Sequence, residues 1–181
     1  MTKRRAVFLD RDGVLNRSDV VGGKPFAPRT LDGFALLPGV VEAVTLLKDA
    51  GFVLVVVTNQ PDVGNGIVEQ NIIEEMHKVM LQSLPLDRVL ACYHTQQDNC
   101  TCRKPATGMI DQAVEEFDID PASSFMVGDR WKDIAAGKAA GCTTVLIDYG
   151  YSEPMMAEPD YVVSSTLEAA RCILGLETYK Q

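Results

Sequence analysis

Apolar residues gather along the chain in short runs rich in β-branched side chains: Ala6–Leu9, Val53–Val57, Val89–Tyr93, Phe125–Val127 and Thr143–Ile147. Each run is nearly continuous rather than alternating, which is the pattern of parallel strands covered on both faces. The stretches between them carry helical spacing. The first helix is expected to open near Pro38 and close at Gly51, with proline just inside its start and glycine just past its end. Its residues Val40, Val41, Val44 and Leu47 would share one face. Further helices are expected at about Glu69–Leu84, Gly108–Phe117, Lys132–Ala140 and Leu167–Leu174. Strand and helix thus alternate five times, predicting an α/β fold with a doubly wound parallel sheet. Ligands of such sheets bind beyond the carboxyl ends of the strands, so the residues after each run are the place to look for chemistry.

Composition narrows the classes. The 181 residues fit one domain, 1–181, and show no repeat, low-complexity segment or linker. The first apolar run stops at Asp10, far short of a signal-peptide core, and nothing approaches a membrane-length apolar span. A soluble cytoplasmic protein with no membrane partner is the expectation, and a monomer. A net charge of −8 argues against nucleic acid as a partner, because a phosphate backbone would be repelled. A small phosphorylated metabolite stays possible where positive charge is gathered locally. Arg11, Arg103, Lys104, Arg130 and Lys132 all stand beside the expected pocket, and Arg11 is expected to meet the substrate there.

The strand ends are polar without exception. Asp10-Arg11-Asp12-Gly13 follows the first run, Thr58-Asn59-Gln60 the second, Arg103-Lys104-Pro105 a loop after the third, and Gly128-Asp129-Arg130 with Asp133 the fourth. Carboxylates, a hydroxyl, a lysine and arginines suit phosphate and a hard divalent cation, since Mg²⁺ takes carboxylate oxygens and bridges to phosphate. In phosphoryl transfer Asp10 would be the nucleophile and Asp12 the acid, then the base. Thr58 and Lys104 would meet the phosphoryl oxygens where charge accumulates. Asp129 would join Asp10 on Mg²⁺, with Asp133 behind them.

The four motifs "FLDRDGVLN", "VVVTNQ", "CRKP" and "GDRWKD" resemble those of the haloacid dehalogenase (HAD) superfamily of phosphatases, in family order over nearly the whole chain. The resemblance implies a HAD-like three-layer sandwich and a Mg²⁺-dependent phosphoric monoester hydrolase that forms an aspartyl-phosphate. It implies Asp10, the Asp12 backbone and Asp129 as Mg²⁺ ligands, Arg103 as a substrate-recognition residue, and Asn59 and Arg130 as substrate contacts. Two other classes compete: a phospho-receiver domain, which places its phosphorylated aspartate after a middle strand, and a metal-stabilised binding module without turnover.

The segment "CYHTQQDNCTCRKP" holds three of the five cysteines and one of the two histidines. Cys92 with His94, and Cys100 with Cys102, are spaced so that extended chain points each pair one way. Three sulfurs and one nitrogen suit tetrahedral, structural Zn²⁺, with iron, free thiols or a Cys100–Cys102 disulfide as the alternatives. A zinc loop at 92–102 ending in "CRKP" is similar to the capless subgroup that holds heptose bisphosphate and histidinol-phosphate phosphatases. That resemblance implies a small sugar phosphate, heptose 1,7-bisphosphate before histidinol phosphate. After "TNQ" the chain reads Pro61-Asp62-Val63-Gly64, without the arginine of many heptose enzymes. Cys142 and Cys172 lie in apolar surroundings and are expected in the core. His77 is expected to face solvent on a charged helix, and Trp131 to pack or to touch substrate.

Overall fold

Successive residues of a strand point to opposite faces, and here both faces are apolar. Val7 and Leu9 join one core with Leu54, Val56, Val127 and Val145, whereas Ala6 and Phe8 join the other with Val53, Val55, Val57 and Met126. The computed structural model, which describes residues 3–178, shows what covers each face. Its elements are β1 Ala6–Leu9, β2 Asp19–Val21, β3 Lys24–Phe26, α1 Val40–Asp49, β4 Val53–Asn59, α2 Pro61–Gly64, α3 Gln70–Ser83, β5 Arg88–Cys92, α4 Gly108–Phe117, β6 Phe125–Gly128, α5 Trp131–Ala140, β7 Thr143–Ile147, β8 Tyr161–Val163 and α6 Thr166–Thr178.

Six strands form one parallel sheet in the order β5-β4-β1-β6-β7-β8. Helices α1 and α6 cover the Val7 face, and α4 and α5 the Phe8 face. Each fully buried Val, Leu, Ile or Phe side chain contributes roughly 1.5–3 kcal/mol. Helix α5 sits so close to the sheet that a Cβ at Gly137 would lie 2.5 Å from that of Met126. The expected doubly wound sheet is therefore present. Residues 16–37 add only the β2–β3 hairpin and a turn of 3₁₀ helix, and residues 60–90 only α2 and α3 before β5, so no domain is inserted over the strand ends. Among the described residues no helix is long and apolar enough to cross a membrane.

The differences from expectation have physical reasons. Strands β2, β3 and β8 are three residues long and mostly exposed, too short for a periodicity signal. Helix α1 starts after Gly39, whose φ of 77° makes it the turn into the helix, so Pro38 lies outside rather than just inside. Ala43 rather than Val41 completes the buried face; Val41 is 54% exposed.

Candidate active site

Every strand of a parallel sheet ends on the same edge, and β1 sits between β4 and β6, so the first and fourth polar motifs meet at the centre. Asp10 follows Leu9 directly, its N–H donating to Val127 O at 2.9 Å. The chain then turns sharply at Gly13, where φ is +83° and a Cβ would come within 2.1 Å of Asp129 Oδ2. Only glycine allows that approach.

Asp10, Asp129 and Asp133 are all buried, and one oxygen of each lies within 4.8 Å of the others. Lys104 reaches in from the loop after β5. Its Nζ stands 2.8 Å from Asp10 Oδ1 and 2.6 Å from Asp133 Oδ1, and donates to Val57 O at 2.6 Å. Asp133 also accepts from the Arg130 N–H at 3.1 Å through Oδ2, so both its oxygens have partners. Burial, and then the charge of Asp133, push Asp10 up to about 7 against the pull of Lys104. Burial foremost, followed by Asp10 and Asp133, raises Asp129 well above the ordinary carboxylate range. Burial disfavours charge on Lys104, yet the two carboxylates hold it above its usual value.

One ammonium among three carboxylates leaves negative charge in excess, and Asp129 Oδ1 is buried without a hydrogen-bond partner. A buried orphan oxygen calls for a partner, and a divalent cation supplies it. The residues present fit Mg²⁺.

Asp12 lines the same cleft as Asp10, as two-residue spacing predicts. Its carboxylate accepts from Arg11 Nη2 at 2.8 Å, Asn16 Nδ2 at 2.9 Å and Gln60 Nε2 at 2.7 Å. Gln60 Nε2 also donates to Thr58 Oγ1 at 2.9 Å, tying the hydroxyl beneath the cleft to Asp12. The expectation that Arg11 meets substrate is corrected: Arg11 is fully buried, forks onto Asp12 and places Nη1 3.3 Å from His77 Nε2. His77 is corrected with it. It is buried on the face of α3 that covers Arg11, and burial, then the guanidinium, lower it to about 4, leaving a neutral ring that accepts.

The remaining expected contacts divide. Asn59 and Arg130 line the cleft. Asn59, however, gives both ends of its amide to the Lys104 backbone, 3.0 Å each way, so it holds Lys104 in place. Arg130 forms a two-pronged ion pair with Glu153. Arg103 lies beside the cleft rather than among its lining residues, its Nη1 donating to His94 O at 3.3 Å. Lys132 lines the cleft.

Cys92, His94, Cys100 and Cys102 converge next to this edge. Cys92 Sγ is 3.6 Å from His94 Nδ1 and from Cys100 Sγ, while Cys102 Sγ is 2.9 Å from Cys92 Sγ, 3.4 Å from Cys100 Sγ and 3.2 Å from His94 Nδ1. The thiols are not disulfide-bonded. Four donors converging this closely could hold one metal ion, and three sulfurs with one nitrogen suit tetrahedral zinc. Cys142 is buried as expected, and Cys172 is partly so.

Three functional candidates escaped the sequence reading, Tyr149, Tyr151 and Glu153, and a fourth, Gln60, was met at a strand end without a role. The Tyr151 hydroxyl donates to Asp129 Oδ2 at 3.0 Å, and Tyr149 to Gly13 O at 2.9 Å. All four follow strand ends, so the rule that pointed to Asp10 and Asp129 would have reached them.

A capless parallel sheet whose central strand ends carry Asp10, Asp12 and a second aspartate pair, with a buried lysine reaching in from the loop after β5, defines a HAD-like phosphoric monoester hydrolase. A family model described as HAD-hydrolase-like matches residues 101–169. The D-glycero-beta-D-manno-heptose-1,7-bisphosphate 7-phosphatase of Pasteurella multocida is 35% identical over 97% of this chain and 100% of its own. That of Haemophilus influenzae is 34% identical over 96% and 98%. A crystal structure of D,D-heptose 1,7-bisphosphate phosphatase from B. bronchiseptica, complexed with magnesium and phosphate, superposes with a TM-score of 0.80 at 28% identity, covering 95% of this chain and 99% of that one. The chain belongs to the HAD phosphatase family that includes these heptose bisphosphate phosphatases.

Proposed function

We propose that the protein is a cytoplasmic, monomeric phosphatase of one catalytic domain that releases the 7-phosphate of D-glycero-D-manno-heptose 1,7-bisphosphate. One observation carries the reading: the buried Asp10–Lys104–Asp133 array stands beside Asp129 at the strand ends of a chain that aligns end to end with heptose bisphosphate phosphatases. A carboxylate with a cation at its side can face a phosphate dianion that it would otherwise repel.

In the proposed sequence, an Asp10 oxygen attacks phosphorus and the bond to the sugar oxygen breaks. Asp12, held by Gln60 and Asn16, gives its proton to the departing alkoxide, yielding an aspartyl-phosphate and the free sugar hydroxyl. Asp12 then takes a proton from water, and the hydroxide formed displaces Asp10 to give inorganic phosphate. Lys104 and Thr58 steady the phosphoryl oxygens. Asp10, Asp129 and the Asp12 backbone would hold Mg²⁺, which would supply charge neutralisation between nucleophile and phosphate. Asp133 and Asn59 keep Lys104 in register. Histidinol phosphate, the second candidate, has one anionic group where the heptose substrate has two, and the Lys132 cation at the cleft favours the latter. Side-by-side kinetics should give a kcat/KM at least about tenfold higher for heptose bisphosphate; the reverse preference would overturn the assignment.

The zinc loop braces the site without taking part in the chemistry. Lys104 lies two residues past Cys102, and its peptide is pinned by Asn59. Shifting a catalytic group by about 1 Å costs about 10²-fold in rate. Cys102→Ser, or zinc removal verified by elemental analysis, should lower kcat about tenfold to hundredfold while every Mg²⁺ ligand stays in place. Unchanged kinetics in verified zinc-free protein would reject the brace.

A further inference from the structure

The segment after β7 is tied to the metal edge at three points and to the β2–β3 hairpin at a fourth. Tyr149 donates to Gly13 O, Tyr151 to Asp129 Oδ2, Ser152 N–H to Gly23 O at 2.9 Å, and Glu153 pairs with Arg130. Of these partners only Asp129 carries a buried atom that is still unsatisfied. Its two oxygens are distinguished: Oδ2 is held by the tyrosine and packed against Gly13, whereas Oδ1 is buried with no partner. A carboxylate free to turn can offer a cation one oxygen or two. Here one oxygen is engaged by the tyrosine hydroxyl and the other is left for a cation.

We propose that Tyr151 is a positioning residue for the metal, restricting Asp129 to one-oxygen coordination and so favouring Mg²⁺ over Ca²⁺. The inference rests on the reading that Asp129 holds Mg²⁺. Its physical basis is the difference between the two ions. Mg²⁺ requires near-octahedral ligands at about 2.0–2.1 Å, while Ca²⁺ accepts irregular shells at about 2.3–2.6 Å that include two-oxygen carboxylates. Without the hydroxyl the Asp129 carboxylate can swing and present both oxygens, a geometry that suits Ca²⁺ and penalises Mg²⁺. Partners that orient a metal ligand change affinity by about 10–100-fold when removed. The tyrosine ring itself stacks near Tyr149, with centroids 5.6 Å apart, so removing one oxygen leaves the packing of the segment intact.

The test is a titration of the zinc-loaded protein with MgCl₂ or CaCl₂ alone, read as heat of binding and as the rise in melting temperature, for wild type, Tyr151→Phe and Tyr149→Phe. Tyr151→Phe should weaken Mg²⁺ binding at least about tenfold and change Ca²⁺ binding by less than about threefold, so the preference between the ions falls. Tyr149→Phe loses a hydroxyl from the same segment without touching Asp129, and should keep the wild-type preference. Equal weakening of both ions in Tyr151→Phe, or loss of preference in Tyr149→Phe as well, would mean that the segment merely loosens, and would overturn the proposal. Unchanged Mg²⁺ binding in Tyr151→Phe overturns it too while leaving the catalytic reading standing. Wild-type protein that binds no Mg²⁺ overturns both.

Discussion

Asp10→Asn is expected to lower the rate of phosphate release by at least about 10⁴-fold, because the proposed mechanism has no other nucleophile to form the covalent intermediate. Inorganic phosphate released with saturating Mg²⁺ is the measurement. The same substitution should leave the metal-free melting temperature unchanged or higher. Asp10 is held where burial and the neighbouring Asp133 disfavour its charge, and an amide oxygen can still accept from Lys104. Loss of activity without loss of stability separates a nucleophile from a structural carboxylate. A receiver domain or binding module on this fold would show no turnover in the wild type either. Residual activity within tenfold of wild type in Asp10→Asn would show that the nucleophile lies elsewhere.

How much of this was legible in the sequence depended on how local each cause is. Five of the six strands of the sheet could be read because their residues are mostly apolar on both faces, a property of the strand itself. The zinc quartet could be read because ligands two apart in extended chain must point together, and Cys92, His94, Cys100 and Cys102 do converge. The hairpin left a weaker trace: Gly22 and Gly23, with φ of 59° and 75°, form the two-residue turn between strands that double glycine favours, but three residues on each side carry no periodicity. Val41 was misplaced because a helix face is chosen by its neighbours as well as by its own residues.

Arg11 and His77 mark the limit of such reading. A charged residue beside a catalytic aspartate is expected to face the ligand, and a histidine flanked by Glu74, Glu75 and Lys78 is expected to face water. Each is buried against the other across 66 positions of chain, and Arg11 is neutralised there by its neighbour Asp12. Asn59 stands where a substrate contact was expected and lines the cleft, yet its amide is engaged with the backbone of Lys104. Composition shows that polar groups are available at a strand end. Tertiary pairing decides which of them remain free for substrate.

Lys104→Ala should combine the two losses that Asp10→Asn keeps apart. Its ammonium has three donors, and Asp10, Asp133 and the Val57 carbonyl occupy them all. Deleting it leaves two buried carboxylates without their cation, and breaking a buried pair by removing one partner costs about 3–5 kcal/mol. The metal-free protein should melt at a markedly lower temperature. For a phosphoryl oxygen to reach Nζ, one of the three acceptors must yield, an exchange that becomes favourable as charge builds on the transferring group. The contact therefore strengthens in the transition state, and kcat should fall about 10²–10³-fold with a much smaller change in KM. An effect confined to KM would contradict this. The double variant Lys104→Ala/Asp133→Asn resolves the two roles, because neutralising Asp133 relieves the exposed repulsion with Asp10. Melting temperature should recover in large part while kcat stays low; recovery of both would reduce Lys104 to a support for the acidic cluster.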